Sequence, residues 1–116
     1  MTVRVGEVAM DDIERGPARR EIADHIERLD RELARLAPRE QMRRILSIKS
    51  LAQSYGLRAV ASLAHALESD LLAHGAEAPI HAYLDCMHDA VDVGIDEQPR
   101  FVDLALATVG ARLALA

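Results

Sequence analysis

Residues 46–57, LSIKSLAQSYGL, belong to a segment whose apolar residues recur with the period of an α-helix. When the segment is drawn at about 100° per residue, Ile45, Ile48 and Ala52 share one face. Leu46 falls roughly 140° from the centre of that face. The pattern therefore predicts an apolar side chain on the side of the helix that should face water.

Glycine and proline divide the rest of the chain into further amphipathic segments. No segment keeps a two-residue apolar period, and the predicted connections are short. The sequence therefore predicts an all-α fold, an antiparallel up-down four-helix bundle with an additional C-terminal helix. The predicted helices cover about residues 17–36, 39–55, 57–74 and 79–94, and a fifth begins near Pro99. We expect one domain over residues 1–116, made of an N-terminal arm or short helix (1–16), a core bundle (17–94) and the C-terminal helix (95–116).

Composition and charge narrow the class of protein. The chain carries a net charge of −5, which argues against a nucleic-acid binder. Its single cysteine, Cys86, cannot form an internal disulfide, which fits a reducing compartment. The N-terminus lacks the apolar core of a signal peptide, and charges interrupt the apolar C-terminal segment. We expect a cytoplasmic protein that contacts neither nucleic acid nor membrane.

The surroundings predicted for Leu46 are polar and mostly basic. The residues within two helical turns include Arg39, Arg43, Lys49, Ser50 and Gln53. Single exposed leucines are ordinary on protein surfaces. Packing under the N-terminal arm, or against a second copy of the chain in a homodimer, would also explain this residue.

The stretch LSIKSLAQSYGL and the following RAVASLAHALESDL resemble the histidine-phosphotransfer (HPt) domain, and look closest to that of chemotaxis histidine kinases. That family carries a helix reading roughly His-x-apolar-Lys-Gly, a glycine ten residues after the histidine, and a second helix ending in Leu-Glu. Lys49, Gly56 and Glu68 match these positions in register. The resemblance implies that His65 and Glu68 stand where the family hydrogen-bonds its phosphoacceptor imidazole.

Two positions depart from the family pattern. Leu46 stands where the phosphorylated histidine should be, and Ser50 replaces a glycine that leaves room for the docking receiver domain. A leucine side chain has no lone pair with which to accept a phosphoryl group. The resemblance therefore implies a bacterial pseudo-phosphotransferase rather than an enzyme. It would need no cofactor, and would bind a response-regulator receiver domain or a histidine kinase. The residues expected to contact that partner are Leu46, Lys49, Ser50, Arg43, Arg39 and Gln53. His65 and Glu68 would remain as partners in a degenerate site.

Other interpretations stay open. The chain could be a structural or dimerising helical module with no receiver partner. His65 could itself take phosphate, although we expect it to be a partly buried, hydrogen-bonded histidine. His81, Asp85, His88 and Asp92 have metal-ligand chemistry at helical spacing, but a solvated polar face explains that stripe fully.

Overall fold

The computed structural model describes the backbone of residues 2–115 and the side chains of residues 16–94 and 96–111. This backbone is helical apart from short connections and contains no strand, which confirms the all-α prediction. Five α-helices follow in order: α1 (Thr2–Glu32), α2 (Pro38–Ser54), α3 (Arg58–His74), α4 (Ile80–Val91) and α5 (Gln98–Leu115), with 3₁₀ turns at Leu33–Arg35, Gly75–Glu77 and Ile95–Glu97.

The first helix differs most from the sequence-based prediction. Helix α1 begins at Thr2 and passes through Pro17, where the sequence predicted its start. Residues before Pro17, predicted as an arm or a short helix, continue the same helix. Proline removes one backbone donor, but the hydrogen bonds of the adjacent turns can continue on either side of it. The helix then tightens into the 3₁₀ turn Leu33–Arg35, which ends three residues before Pro38.

Aliphatic side chains fill the interior, as an aromatic-poor composition requires. Helix α1 contacts α2 and α4, α3 contacts α2, α4 and α5, and α5 also contacts α4. Full burial of one such side chain contributes about 1.5–3 kcal/mol. The fully or almost fully buried residues include Ile22, Ile26 and Leu29 of α1, Ile45 and Ile48 of α2, Val60, Leu63 and Leu67 of α3, and Leu84 and Met87 of α4.

One polar side chain, Gln98, is completely buried within this apolar interior. Its Oε1 accepts a hydrogen bond from the N–H of Ala59 at 2.7 Å, in the first turn of α3. Its Nε2 donates to the carbonyls of Ala90 at 2.9 Å and Val93 at 2.8 Å, at the end of α4. Arg19 of α1 also donates to the Val93 carbonyl, at 3.1 Å. A single carboxamide at the start of α5 therefore satisfies the ends of two other helices.

The polar stripe of α4 faces α1 rather than solvent alone. His81 Nδ1 lies 2.6 Å from Asp30 Oδ1, and His88 Nε2 lies 2.9 Å from Glu27 Oε1. The prediction of a merely solvated face therefore missed two contacts between helices. Within residues 16–94 and 96–111, no three His, Cys, Asp or Glu side chains gather in a way that could hold a metal ion.

None of the helices in the described part of the chain combines the length and apolar character needed to cross a membrane.

Candidate functional site

A tight turn at Gly56 sets α3 beside α2. Gly56 has φ of +73°, in the left-handed region that favours glycine. The N–H of Leu57 donates to the carbonyl of Ala52 at 2.9 Å, which is the bond that closes a glycine-ended helix. Three residues thus connect the two helices, and α3 returns along α2 in the opposite direction.

This turn brings Lys49, His65 and Glu68 together. Lys49 Nζ donates to Glu68 Oε1 at 3.0 Å and lies 3.3 Å from His65 Nδ1. His65 Nδ1 is 3.5 Å from the same Glu68 oxygen. The structure therefore assembles, from two helices, the three polar residues that the resemblance singled out.

Solvent exposure differs within this polar cluster. The Lys49 and Glu68 side chains keep only 22% and 20% of their exposure, whereas the His65 side chain keeps 65%. The expectation of a partly buried histidine was therefore wrong. Since Glu68 neutralises Lys49, that lysine adds less free positive charge to the surface than its sequence position suggested.

Leu46 lies one turn before Lys49 and is 41% exposed, as the helical wheel predicts. Around it, Ser50 and Gln53 are also exposed. Arg39 is exposed, and the Arg43 side chain is 80% exposed, with a long contact of 3.4 Å to Glu40. The free positive charge beside Leu46 therefore comes from the two arginines.

Sequence reasoning missed a second exposed leucine. Leu72 is 78% exposed and follows Glu68 by one turn of α3. Because α2 and α3 run in opposite directions, Leu46 and Leu72 both lie toward the same end from the Lys49–Glu68 contact. The signal was present in the sequence, since Leu72 falls outside the apolar face of its helix just as Leu46 does. We use the name leucine–arginine patch for the exposed side chains of Leu46, Arg39 and Arg43 on α2 and of Leu72 on α3.

In comparisons with known proteins, the chain matches no protein-family model, no curated protein and no solved structure.

Proposed function

We propose that this protein is a pseudo-histidine-phosphotransfer protein. It would bind a receiver domain or a histidine kinase in two-component or chemotaxis-type signalling, without accepting phosphate. The proposal includes an antiparallel four-helix bundle formed by α1 to α4, with α5 as the additional helix. The observation that carries it is the exposed Leu46, one turn from a hydrogen-bonded cluster of Lys49, His65 and Glu68.

The chemistry of this cluster supports binding rather than phosphoryl transfer. A phosphoacceptor needs a nitrogen lone pair aimed at the incoming phosphorus, and Leu46 has none. His65 is accessible, but its Nδ1 faces the Lys49 ammonium at 3.3 Å. An ammonium group only donates hydrogen bonds, so this contact favours the tautomer in which Nδ1 accepts and Nε2 carries the proton. Helices α2 and α3 would therefore hold the supporting residues of a phosphotransfer site, Lys49, His65 and Glu68, without its nucleophile.

The leucine–arginine patch fits the chemistry of a receiver domain. In the HPt family the docking surface is an apolar area with a polar rim, and the receiver presents an acidic pocket to it. Leu46 and Leu72 supply apolar area here, and Arg39 and Arg43 supply positive charge in a chain of net charge −5. Complementary charge of this kind mainly speeds the encounter and selects the partner.

The test is direct binding of the full chain to the receiver domains encoded in its genome, measured by calorimetry. We expect at least one complex, weakened tenfold or more by Leu46→Asp. Leu104→Asp is the matched control, because Leu104 is 65% exposed on α5, away from the patch. Failure of every receiver domain to bind, or equal loss in both variants, would refute the proposal.

A second variant tests the ancestry of the site. In Leu46→His, the new imidazole would stand at the position that the family phosphorylates. We expect the variant to gain acid-labile phosphate at residue 46 when it is incubated with a phosphorylated receiver. A folded variant that binds the receiver but gains no phosphate would show that the geometry required for transfer is not retained.

A helical association module is the second candidate function. The observation that favours it is a pair of exposed leucines on different sides of α5, Leu104 at 65% and Leu106 at 38% exposed. Sedimentation over a range of concentrations separates the two candidates. A dimer that Leu104→Asp disrupts and Leu46→Asp leaves intact, together with no receiver binding, would favour the module.

A further inference from the structure

A polar cleft of about 500 Å³ lies between α1 and α2. Arg28 and His25 line it from α1, and Arg43, Arg44 and Ser47 line it from α2. A volume of this size is within the range of small-molecule sites, which is roughly 300–1,000 Å³. The cleft contains more basic than acidic side chains, although the chain as a whole is acidic.

The two carboxylates of the cleft are directed at one arginine. Arg44 Nη1 donates to Glu32 Oε2 at 2.8 Å, and Arg44 Nε donates to Glu40 Oε1 at 3.4 Å. The hydrogen bond to Glu32 is the main reason that the pKa of Arg44 is raised above its ordinary value. Arg44 therefore contacts both carboxylates of the cleft, and Glu40 also contacts Arg43 at 3.4 Å, so most of the negative charge in the cleft lies against Arg44.

Arg28 and Arg43 remain as the cations available to a ligand. Arg43 reaches only the Glu40 Oε2 atom, at 3.4 Å, and its side chain is 80% exposed. No side chain in residues 16–94 or 96–111 hydrogen-bonds or ion-pairs with Arg28. Glu21 and Asp24 line a smaller neighbouring cleft together with Arg28.

We propose that this cleft binds a small polyphosphate anion between Arg28 and Arg43. Each guanidinium group presents a planar fork of donors that matches a phosphoryl group, and the Ser47 hydroxyl adds a further donor. The volume exceeds what a single phosphate needs. No Phe, Tyr or Trp is among the lining residues, so the cleft lacks the stacking surface that a nucleobase would use. Pyrophosphate, with two linked phosphoryl groups, is the simplest ligand of this chemistry.

Calorimetric titration of the full chain with pyrophosphate tests this site. Ionic strength is held constant with sodium chloride, because non-specific binding of anions is screened by salt. We expect one saturable site, with affinity reduced tenfold or more in Arg28→Gln and in Arg43→Gln. Arg31→Gln is the matched control, since Arg31 is an exposed arginine of α1 that does not line the cleft. The Arg31→Gln variant should bind pyrophosphate with the same affinity as the unmodified chain.

Three results would overturn the proposal: no saturable binding, an unchanged affinity in Arg28→Gln, or equally tight binding of citrate, which would assign the cleft to polycarboxylates. Arg43 belongs to both the cleft and the leucine–arginine patch, so variants of Leu46 and Arg28 separate the two sites. Leu46→Ala, which adds no charge beside Arg43, should leave pyrophosphate affinity unchanged, and Arg28→Gln should leave receiver affinity unchanged, because neither residue belongs to the other site.

Discussion

Replacing Gln98 with methionine should destabilise the protein far more than its modest change in shape suggests. Methionine is unbranched and close to glutamine in size, so the substitution leaves no large cavity. It removes one acceptor and two donated hydrogen bonds from a side chain with no exposed surface. The partners are all backbone groups, and they cannot turn away toward water.

The substitution leaves the three backbone partners of Gln98 with different numbers of remaining hydrogen bonds. The Ala59 N–H is in the first turn of α3, where no helical carbonyl precedes it, so it would have no acceptor. The Ala90 carbonyl still accepts from the Val93 N–H at 3.2 Å, and the Val93 carbonyl still accepts from Arg19 at 3.1 Å. An orphaned buried N–H costs about 1–3 kcal/mol and each of the two lost carbonyl contacts about 0.5–1 kcal/mol, so Gln98→Met should cost about 2–5 kcal/mol.

Urea unfolding followed by circular dichroism measures this cost. The midpoint should fall while the slope m stays constant, because the surface exposed on unfolding hardly changes. Gln53→Met is the matched control, since Gln53 is exposed on α2 and its loss should change stability by less than about 0.5 kcal/mol. If Gln98→Met also loses less than about 0.5 kcal/mol, the reasoning that this carboxamide satisfies otherwise unpaired helix ends is refuted.

Three further measurements test other parts of the fold. Gly75 has φ of +57° and ψ of −128°, a conformation that strains any residue with a Cβ atom, so Gly75→Ala should lower stability by about 1–3 kcal/mol in thermal unfolding. An unchanged midpoint would show that alanine is not strained at this position. A double-mutant cycle of Lys49→Met and Glu68→Gln should give a coupling free energy of about 0.5–1.5 kcal/mol, because both side chains are largely buried. Zero coupling would show that the ion pair does not stabilise the fold. Burial and a hydrogen bond to Asp70 raise the pKa of Tyr83, so the folded state holds this proton more tightly than the unfolded chain. Its contribution to stability should be complete below about pH 10 and fall above it, and Tyr83→Phe should reduce the alkaline loss of stability in denaturant titrations.

Local signals in the sequence predicted most of the helix ends. Gly56 and Gly75 stop α2 and α3 where left-handed backbone is required, and both helices end within one or two residues of their predicted limits. Pro38 likewise begins α2. These signals are local, because a helix end depends mainly on the conformation of one or two residues. Pro17 gave a wrong helix start, because proline is favoured in the first turn of a helix and costs about 3 kcal/mol in its interior, yet α1 continues through it.

The candidate site was predictable in its members but not in its contacts. Helical periodicity placed Leu46 on the exposed side of α2, and the resemblance grouped Lys49 with His65 and Glu68. Which partner Lys49 would take depends on the distance between two helices, and periodicity contains no such distance. The exposure of His65 was mispredicted for this reason, because Glu68 reaches the lysine and leaves the imidazole outside.

The role of Gln98 had no signal in the sequence at all. Its hydrogen bond to Ala59 spans 39 residues, and a single glutamine near a proline looks like an ordinary surface residue. Contacts of this kind are set by the packing of α5 against α3, which neither composition nor spacing describes.

The hydrogen bond between Ala59 and Gln98 also has a consequence for synthesis of the chain. The ribosome adds the first turn of α3 well before the glutamine that accepts its N–H, because Gln98 follows Ala59 by 39 residues. At about 5–20 residues per second, the ribosome needs roughly 2–8 s to add that segment. Throughout that interval only water can satisfy the Ala59 N–H at the start of α3, and its buried hydrogen bond can form only after the last helix has begun to emerge.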